Sequence, residues 1–147
     1  MANPRTSLGA LNLLASSLQL ADRPELTILP SNCTKAGITM SFAGDVNTMH
    51  EAMVGVVRSP QPYQVVTITA NILKTQALAS LWKLAAETDS NLNEITVFTD
   101  APDTLPFYTF DQAALTRHGD LTTNGTDPVY QIVITGRYVI NGDAWGN

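Results

Sequence analysis

The sequence is poor in the groups that carry chemistry. Its 147 residues include one cysteine, Cys33, and two histidines, His50 and His118. A lone cysteine cannot close an intrachain disulfide, and no CxxC pair or Cys/His cluster offers zinc a site, so the fold rests on packing and hydrogen bonds. Charged residues make up only 14% of the chain, well below the roughly 25% of an ordinary soluble domain. That deficit points to surface covered by other subunits, or to surface made polar by Thr, Asn, Ser and Gln. No apolar run reaches bilayer length: the stretch 8–20 is interrupted by Asn12, Ser16, Ser17 and Gln19, so no membrane segment is expected. The same stretch has only Arg5 as a basic flank and no strong apolar centre, so it does not read as a signal peptide. Synthesis in the cytosol with a mature terminus is the expectation.

What is present is enough apolar content, 44% of residues, to bury a core in one domain spanning 1–147. The formal net charge is −5, from 13 acidic and 8 basic residues. Such a balance argues against gripping nucleic acid through its phosphates, though not against meeting it in passing.

Hydrophobic periodicity gives a strand-rich chain with one helix. The segment 10–21 fits a short helix or an alternating strand, and Pro24 and Pro30 bracket an expected strand over 26–29. Residues 35–43 alternate, with Ile38, Met40 and Phe42 on one face and Thr39 and Ser41 on the other, which is the pattern of a half-buried strand. From 45 to 62 no period fits: 50–57 is apolar enough for a strand, but SPQP at 59–62 lacks ladder donors, so the stretch reads as a long excursion. Val66, Ile68, Ala70 and Ile72 then oppose Thr67, Thr69 and Asn71. After Leu73 the period changes, and Leu78, Leu81, Trp82 and Ala85 form a helical stripe with Thr75 as expected N-cap and Asp89-Ser90-Asn91 as stop. Further strands are expected over 94–99, 106–110, 113–117 and 129–140. The economical architecture is mainly β with one helix: an antiparallel β-sandwich or barrel with a flanking α-helix.

Candidate catalytic groups are sparse, and each has a plainer reading. Cys33, His50 and Asp45 are the parts of a nucleophilic set, but no protease signature surrounds the thiol, and a small core cysteine with two surface histidines explains them better. Asp100 and Asp103 in TDAPDTLP could act as an acid/base pair; Pro and Asp also make a solvated turn. Residues 120–131 have calcium-loop spacing in part, but Thr122 and Gln131 stand where ligands are needed, so a Gly/Asn turn between strands is expected. Asn32-Cys33-Thr34 and Asn124-Gly125-Thr126 match the glycosylation tripeptide and, without a secretory signal, are read as chance. There is no GxGxxG or P-loop, so no catalytic residue, cofactor or metal is expected. Trp82 sits on the helical stripe and could pack in the core, stack on a ligand or meet a neighbour. Trp145, near the C-terminus, is a candidate docking residue for another subunit.

The series GITMSFAGD, a long loop ending SPQPYQVVTITANILKTQALASLWKLAAET, then NEITVFTD and the closing YQIVITGRYVINGDAWG, resembles the tail tube and tube-like baseplate proteins of contractile-tailed bacteriophages from about Lys35 onward. The resemblance implies a virion structural protein, not an enzyme: a β-sandwich with a flanking helix, assembled into stacked hexameric rings around a channel for genome ejection. Its implied partners are further copies of itself, tail sheath and baseplate proteins, and DNA in transient passage without sequence-specific binding. The implied location is the virion tail, after synthesis in the host bacterial cytoplasm.

Carried onto this chain, the resemblance makes the excursion 45–61 an inter-ring stacking loop, with Asp45, Val46, Asn47, Thr48, Met49, His50 and Glu51 as its leading residues. The pattern makes Thr39, Ser41, Thr67, Thr69 and Asn71 the candidate lumen-facing side chains, and Trp82 and Trp145 the candidate subunit contacts. Residues 1–30 are expected to form an N-terminal arm or adaptor, which leaves open an initiator ring at the baseplate or a completion ring at the neck. The tube of the bacterial type VI secretion apparatus is another relative that the resemblance brings in, with the same architecture. Two other classes stay open from the residues alone: a monomeric β-sandwich ligand-binding module, and a small hydrolase using Cys33 or the aspartate pair.

Overall fold

The structure, a computed structural model, describes residues 5–145. Eight strands and one α-helix are present among these: β1 (Ser17–Leu20), β2 (Cys33–Ala43), β3 (Asn47–Glu51), β4 (Val56–Pro60), β5 (Tyr63–Leu73), α1 (Ala77–Thr88), β6 (Asn91–Phe98), β7 (Phe107–His118) and β8 (Val129–Val139). Six strands form one antiparallel sheet in the order β1-β6-β7-β8-β5-β2, and β3 and β4 form a separate two-stranded ladder. The fold is therefore mainly β, an antiparallel sheet curled into a half-barrel with a single α-helix, as the periodicity indicates. Among the described residues no helix is long and apolar enough to cross a membrane.

The curl follows from the alternation. On β5, Val66, Ile68, Ala70 and Ile72 are fully buried and stand opposite Gly136, Ile134, Ile132 and Tyr130 of β8. Ile38, Met40 and Phe42 of β2 continue that inner face opposite Ala70, Ile68 and Val66. Phe42 then touches rings two strands beyond its own neighbour: Tyr108 and Phe110 of β7 lie 5.8 and 6.5 Å from it, and Tyr138 of β8 lies 5.6 Å away. A flat sheet would hold β2 and β7 apart, since strands step by about 4.8 Å. The four-ring cluster closes one end of the half-barrel, and Gly136 gives it room. A Cβ at that position would meet Ala113 Cβ and Phe110 Cβ at 3.3 Å.

Helix α1 completes the core with Leu78, Ala79, Trp82 and Ala85. Its cap differs from the expectation. The N-cap is Gln76, not Thr75, and it makes no side-chain cap bond. Instead its amide donates to Ser31 O at 2.9 Å and its carbonyl accepts from Asn32, tying the helix start to the turn before β2. Asp89 ends the helix, its N–H bonding to Ala85 O. The buried stripe is Leu78, Ala79, Trp82 and Ala85; Leu81 lies one helical step aside and is 38% exposed.

Other expectations change in detail. The segment 26–29 is not a strand: Pro24–Leu26 is a 3-10 turn, and only Ile28 bridges to Leu18. The ambiguous segment 10–21 holds a 3-10 turn at Leu13–Ala15 and then β1. The two strands expected over 106–110 and 113–117 are one, β7, broken by a bulge where Gln112 takes φ 49° and the register shifts between Asp111 and Ala114. Residues 1–30 are only partly an arm. Leu18, Leu20, Leu26 and Ile28 are core residues, whereas Leu8, Leu11, Leu13 and Leu14 are largely exposed. The part of that expectation falling on residues 1–4 lies outside the described residues.

Candidate assembly surface: a hairpin arm and a hydroxyl face

The excursion between β2 and β5 is a hairpin. Its ladder runs from Asn47↔Pro60 through Thr48↔Ser59, Met49↔Arg58 and His50↔Val57 to Glu51↔Val56, and Ala52 N–H bonds Gly55 O at 2.7 Å across the tip. Ser59 and Pro60, which argued against a strand, belong to β4. Proline is tolerated because both rails of a two-stranded ladder are edges, so a missing N–H can face outward. Thus Asp45 and Val46 lie in the root of the arm, Asn47, Thr48, Met49, His50 and Glu51 form its first rail, and the tip follows them.

The tip is apolar and bare. Met53 is 102% exposed and Val54 98%, where a hairpin turn in water ordinarily carries Asn, Asp or Gly. Val46, Met49, Val56 and Val57 are also more than half exposed. An isolated two-stranded hairpin is marginal in water, and this one makes its apolar surface available on both rails. Among the described residues nothing of the same subunit covers it.

The five candidate lumen residues share one face. Thr39 stands opposite Thr69 and Ser41 opposite Thr67, while Thr67 pairs with Thr135 and Asn71 with Gln131. All lie on the convex side, away from the core. Thr116 Oγ1 extends the row, donating to Val133 O at 3.1 Å beside Thr135 Oγ1 at 3.2 Å. Asn71 is not freely presented: it is 8% exposed, its amide donates to Gly37 O at 3.2 Å and its carbonyl accepts from Gln131 Nε2 at 3.1 Å. Across β2, β5, β7 and β8 the one carboxylate is Asp111. Arg137 holds it in a two-pronged pair, Nε to Oδ1 at 2.8 Å and Nη2 to Oδ2 at 2.7 Å, and that guanidinium lowers the Asp111 carboxyl below its usual range. The face is thus hydroxyl- and amide-rich around Thr39, Ser41, Thr67, Thr69 and Thr135, carries a self-neutralised charge pair, and turns apolar toward the arm at Tyr63, Val65 and Val139.

The two tryptophans separate. Trp82, read from its place on the helical stripe as a core residue and carried also as a candidate subunit contact, is fully enclosed in the subunit's own core, which leaves it no surface to offer a neighbour. Trp145 is 47% exposed on the 3-10 turn Gly142–Trp145. Leu84 on α1, 55% exposed, and beside it Leu81 are the large apolar helix residues that do face outward.

The sparse chemical groups do not gather. Cys33 opens β2, whereas Asp45 and His50 lie beyond its other end. Burial pushes the Cys33 thiol up, and Sγ donates to Leu29 O at 3.6 Å. Asp100 and Asp103 are exposed in the β6–β7 loop, with Asp100 O accepting from Asn12 N–H at 2.8 Å. In the β7–β8 loop Asn124 Oδ1 accepts from Thr126 N–H at 3.0 Å and Oγ1 at 2.6 Å, Asp127 Oδ1 accepts from Val129 N–H at 3.0 Å, and Gly125 has φ +81°. That is a side-chain-capped turn. Among the described residues no group of three or more His, Cys, Asp or Glu side chains could hold a metal ion.

Sequence reasoning missed three features. The open outer edge of β2, at the end of the sheet order, depends on pairing that no local pattern reveals. The aromatic closure around Phe42 depends on curl. The arm root, with Asn141 Nδ2 donating to Val46 O and Gln61 O at 2.8 Å each, joins residues far apart in the chain. Asn141-Gly142 after a strand was the available signal, since Asn readily takes the positive φ of 54° found there. No protein-family model matches the chain, and no curated protein matches it by sequence.

Proposed function

We propose that the chain is a self-assembling structural protein whose copies form the hexameric rings of a contractile phage tail tube, stacked through the hairpin arm, with the genome passing through the bore. The observation that carries this reading is the arm, a paired hairpin with Met53 and Val54 at its tip fully exposed. An apolar tip with no partner in its own subunit calls for one in another. The open edge of β2 invites a neighbouring chain in the same way, and arm and edge are unlike surfaces. Contacts between unlike surfaces close into rings or propagate as tubes.

On this reading the convex hydroxyl face lines the bore. Thr39, Ser41, Thr67, Thr69 and Thr135 give a polar wall with few cations for phosphates to grip, and DNA slides for that reason. The chain's acidic surplus lies elsewhere: Asp111, matched by Arg137, is the one carboxylate on β2, β5, β7 and β8. These strands also carry Lys35 and Arg117, so the bore on this reading is not acidic. Residues 5–14, carrying exposed Leu8, Leu11, Leu13 and Leu14, suit contact with sheath, baseplate or neck proteins, which keeps an initiator or completion ring as a variant of the same function.

A second reading has one observation in its favour. A cavity of about 440 Å³ opens between Leu13, Leu14, β2 and the end of β6, lined by Cys33, Ile38, Met40 and Val97 among others, a size that suits a small apolar ligand. Sedimentation of the purified chain over a wide concentration range separates the two. Rings or longer assemblies support the tube reading, whereas a concentration-independent monomer that takes up small apolar ligands supports the module.

A further inference from the structure

The arm leaves the sheet at a break in the backbone ladder. The last pair of β2 with β5 is Ala43↔Val65, the pairing of β5 with β8 runs on to Tyr63↔Val139, and the first pair of the arm is Asn47↔Pro60, so residues 44–46 on one rail and 61–62 on the other stand between the ladders. Gly44, with φ +88°, takes the left-handed turn that starts the break. Such an interruption is a hinge: few backbone hydrogen bonds resist bending there.

Polar side chains bridge the break. Gln64 Nε2 donates to Gly44 O at 2.8 Å on the sheet side. Gln61 Nε2 reaches into the arm, to Thr48 Oγ1 at 3.3 Å and Ser59 O at 3.1 Å. Between them, Asn141 Nδ2 donates to Val46 O on one rail and to Gln61 O on the other, where Gln61 N–H already bonds Val46 O at 3.0 Å. Asn141 is fixed in turn by its own backbone, with φ 54° and Ile140 N–H bonded to Pro62 O at 3.2 Å. One amide group from the end of the last strand thus holds both rails of the hairpin at its root.

We infer that Asn141 is a latch: its side-chain amide sets the angle at which the arm projects, and its release frees the arm to swing about residues 44–46 and 61–62. The pose of an element joined to β2 and β5 is governed by a residue from the C-terminal segment, which the chain order alone does not suggest. The latch is a property of the single subunit and stands whether or not the arm meets a second copy.

Hydrogen exchange of individual amides tests this, using Asn141→Gly and Asn141→Ala in the full chain. Glycine keeps the positive φ without strain and removes only the amide, so it separates latch loss from backbone strain. Loss of two ordinary hydrogen bonds shifts a local opening equilibrium by roughly thirty-fold. The expected result is faster exchange of about that size at Gln61 N–H and Ile140 N–H in both variants, with Ile68 and Ile134 in the main sheet unchanged. Unchanged protection at the arm root in Asn141→Gly overturns the latch, and so does a uniform loss of protection through the whole sheet.

Discussion

Replacing the arm tip with polar residues isolates the contribution of its apolar side chains. Met53→Ser with Val54→Thr removes the apolar groups without adding a glycine, at two positions that are essentially fully exposed and do not have positive φ. Because neither side chain packs on its own subunit, the stability of the isolated subunit should stay within about 0.5 kcal/mol of the parent, the range of ordinary surface substitutions. The cost falls on association instead. Fully burying a Met or a Val side chain is worth roughly 1.5–3 kcal/mol each, so a tip seated in a neighbour contributes about 3–6 kcal/mol. At 1.4 kcal/mol per decade, that lowers the association constant roughly a hundred- to ten-thousand-fold. Sedimentation velocity over a concentration series, alongside a thermal melt, reads both quantities. Assembly by the double variant at the parent's concentrations would refute the reasoning, as would a melting point several degrees lower, which would mean that the tip packs within its own subunit.

Other consequences follow from the same geometry. Phe110→Ala should cost about 3–5 kcal/mol, because Phe110 is fully buried among Phe42, Tyr108 and Tyr138. Phe42→Ala, at a ring 38% exposed, should cost clearly less; denaturant melts giving equal costs would mean that the cluster does not close the half-barrel. Asp111 has its carboxyl held down by Arg137, so the stability it adds is present at neutral pH and lost as pH falls through the depressed value. The effect is small, both side chains being more than a third exposed, and Asp111→Asn should remove it from melts run between neutral and strongly acidic pH. Cys33, its thiol raised by burial, should alkylate more slowly near neutral pH than a free cysteine, and Cys33→Ala should leave assembly unchanged; rapid labelling would show a reactive thiol.

The sequence was most legible where one period governs a long segment. β5 alternates over Tyr63–Ala70 because one face lies in the core, β8 does so except at Val133, which is buried between Ile132 and Ile134, and α1 announces itself by Leu78, Trp82 and Ala85. Legibility failed where tertiary pairing overrides local pattern. The bulge at Gln112 brings Phe110 and Ala113 to the same interior, three positions apart, and breaks the alternation that would have joined β7 into one strand. Pro60 masked the arm, since its cost depends on whether the strand is central or an edge, a fact of topology. Pro24 and Pro30 bracket a segment that pairs only through Ile28. Leu81 and Trp82 are adjacent, and only the packing of α1 decides that the ring goes fully inside. At the candidate surface, the hydroxyl face was readable residue by residue from Thr39 to Thr69, whereas the Asn141 contacts span the chain and have no local signature.

Negative-stain electron microscopy of the purified chain tests the central claim most directly. Rings of uniform diameter with a central hole, alone or stacked into tubes, are the predicted result. Isolated subunits throughout, at high concentration and with the proposed sheath and baseplate partners added, would contradict it.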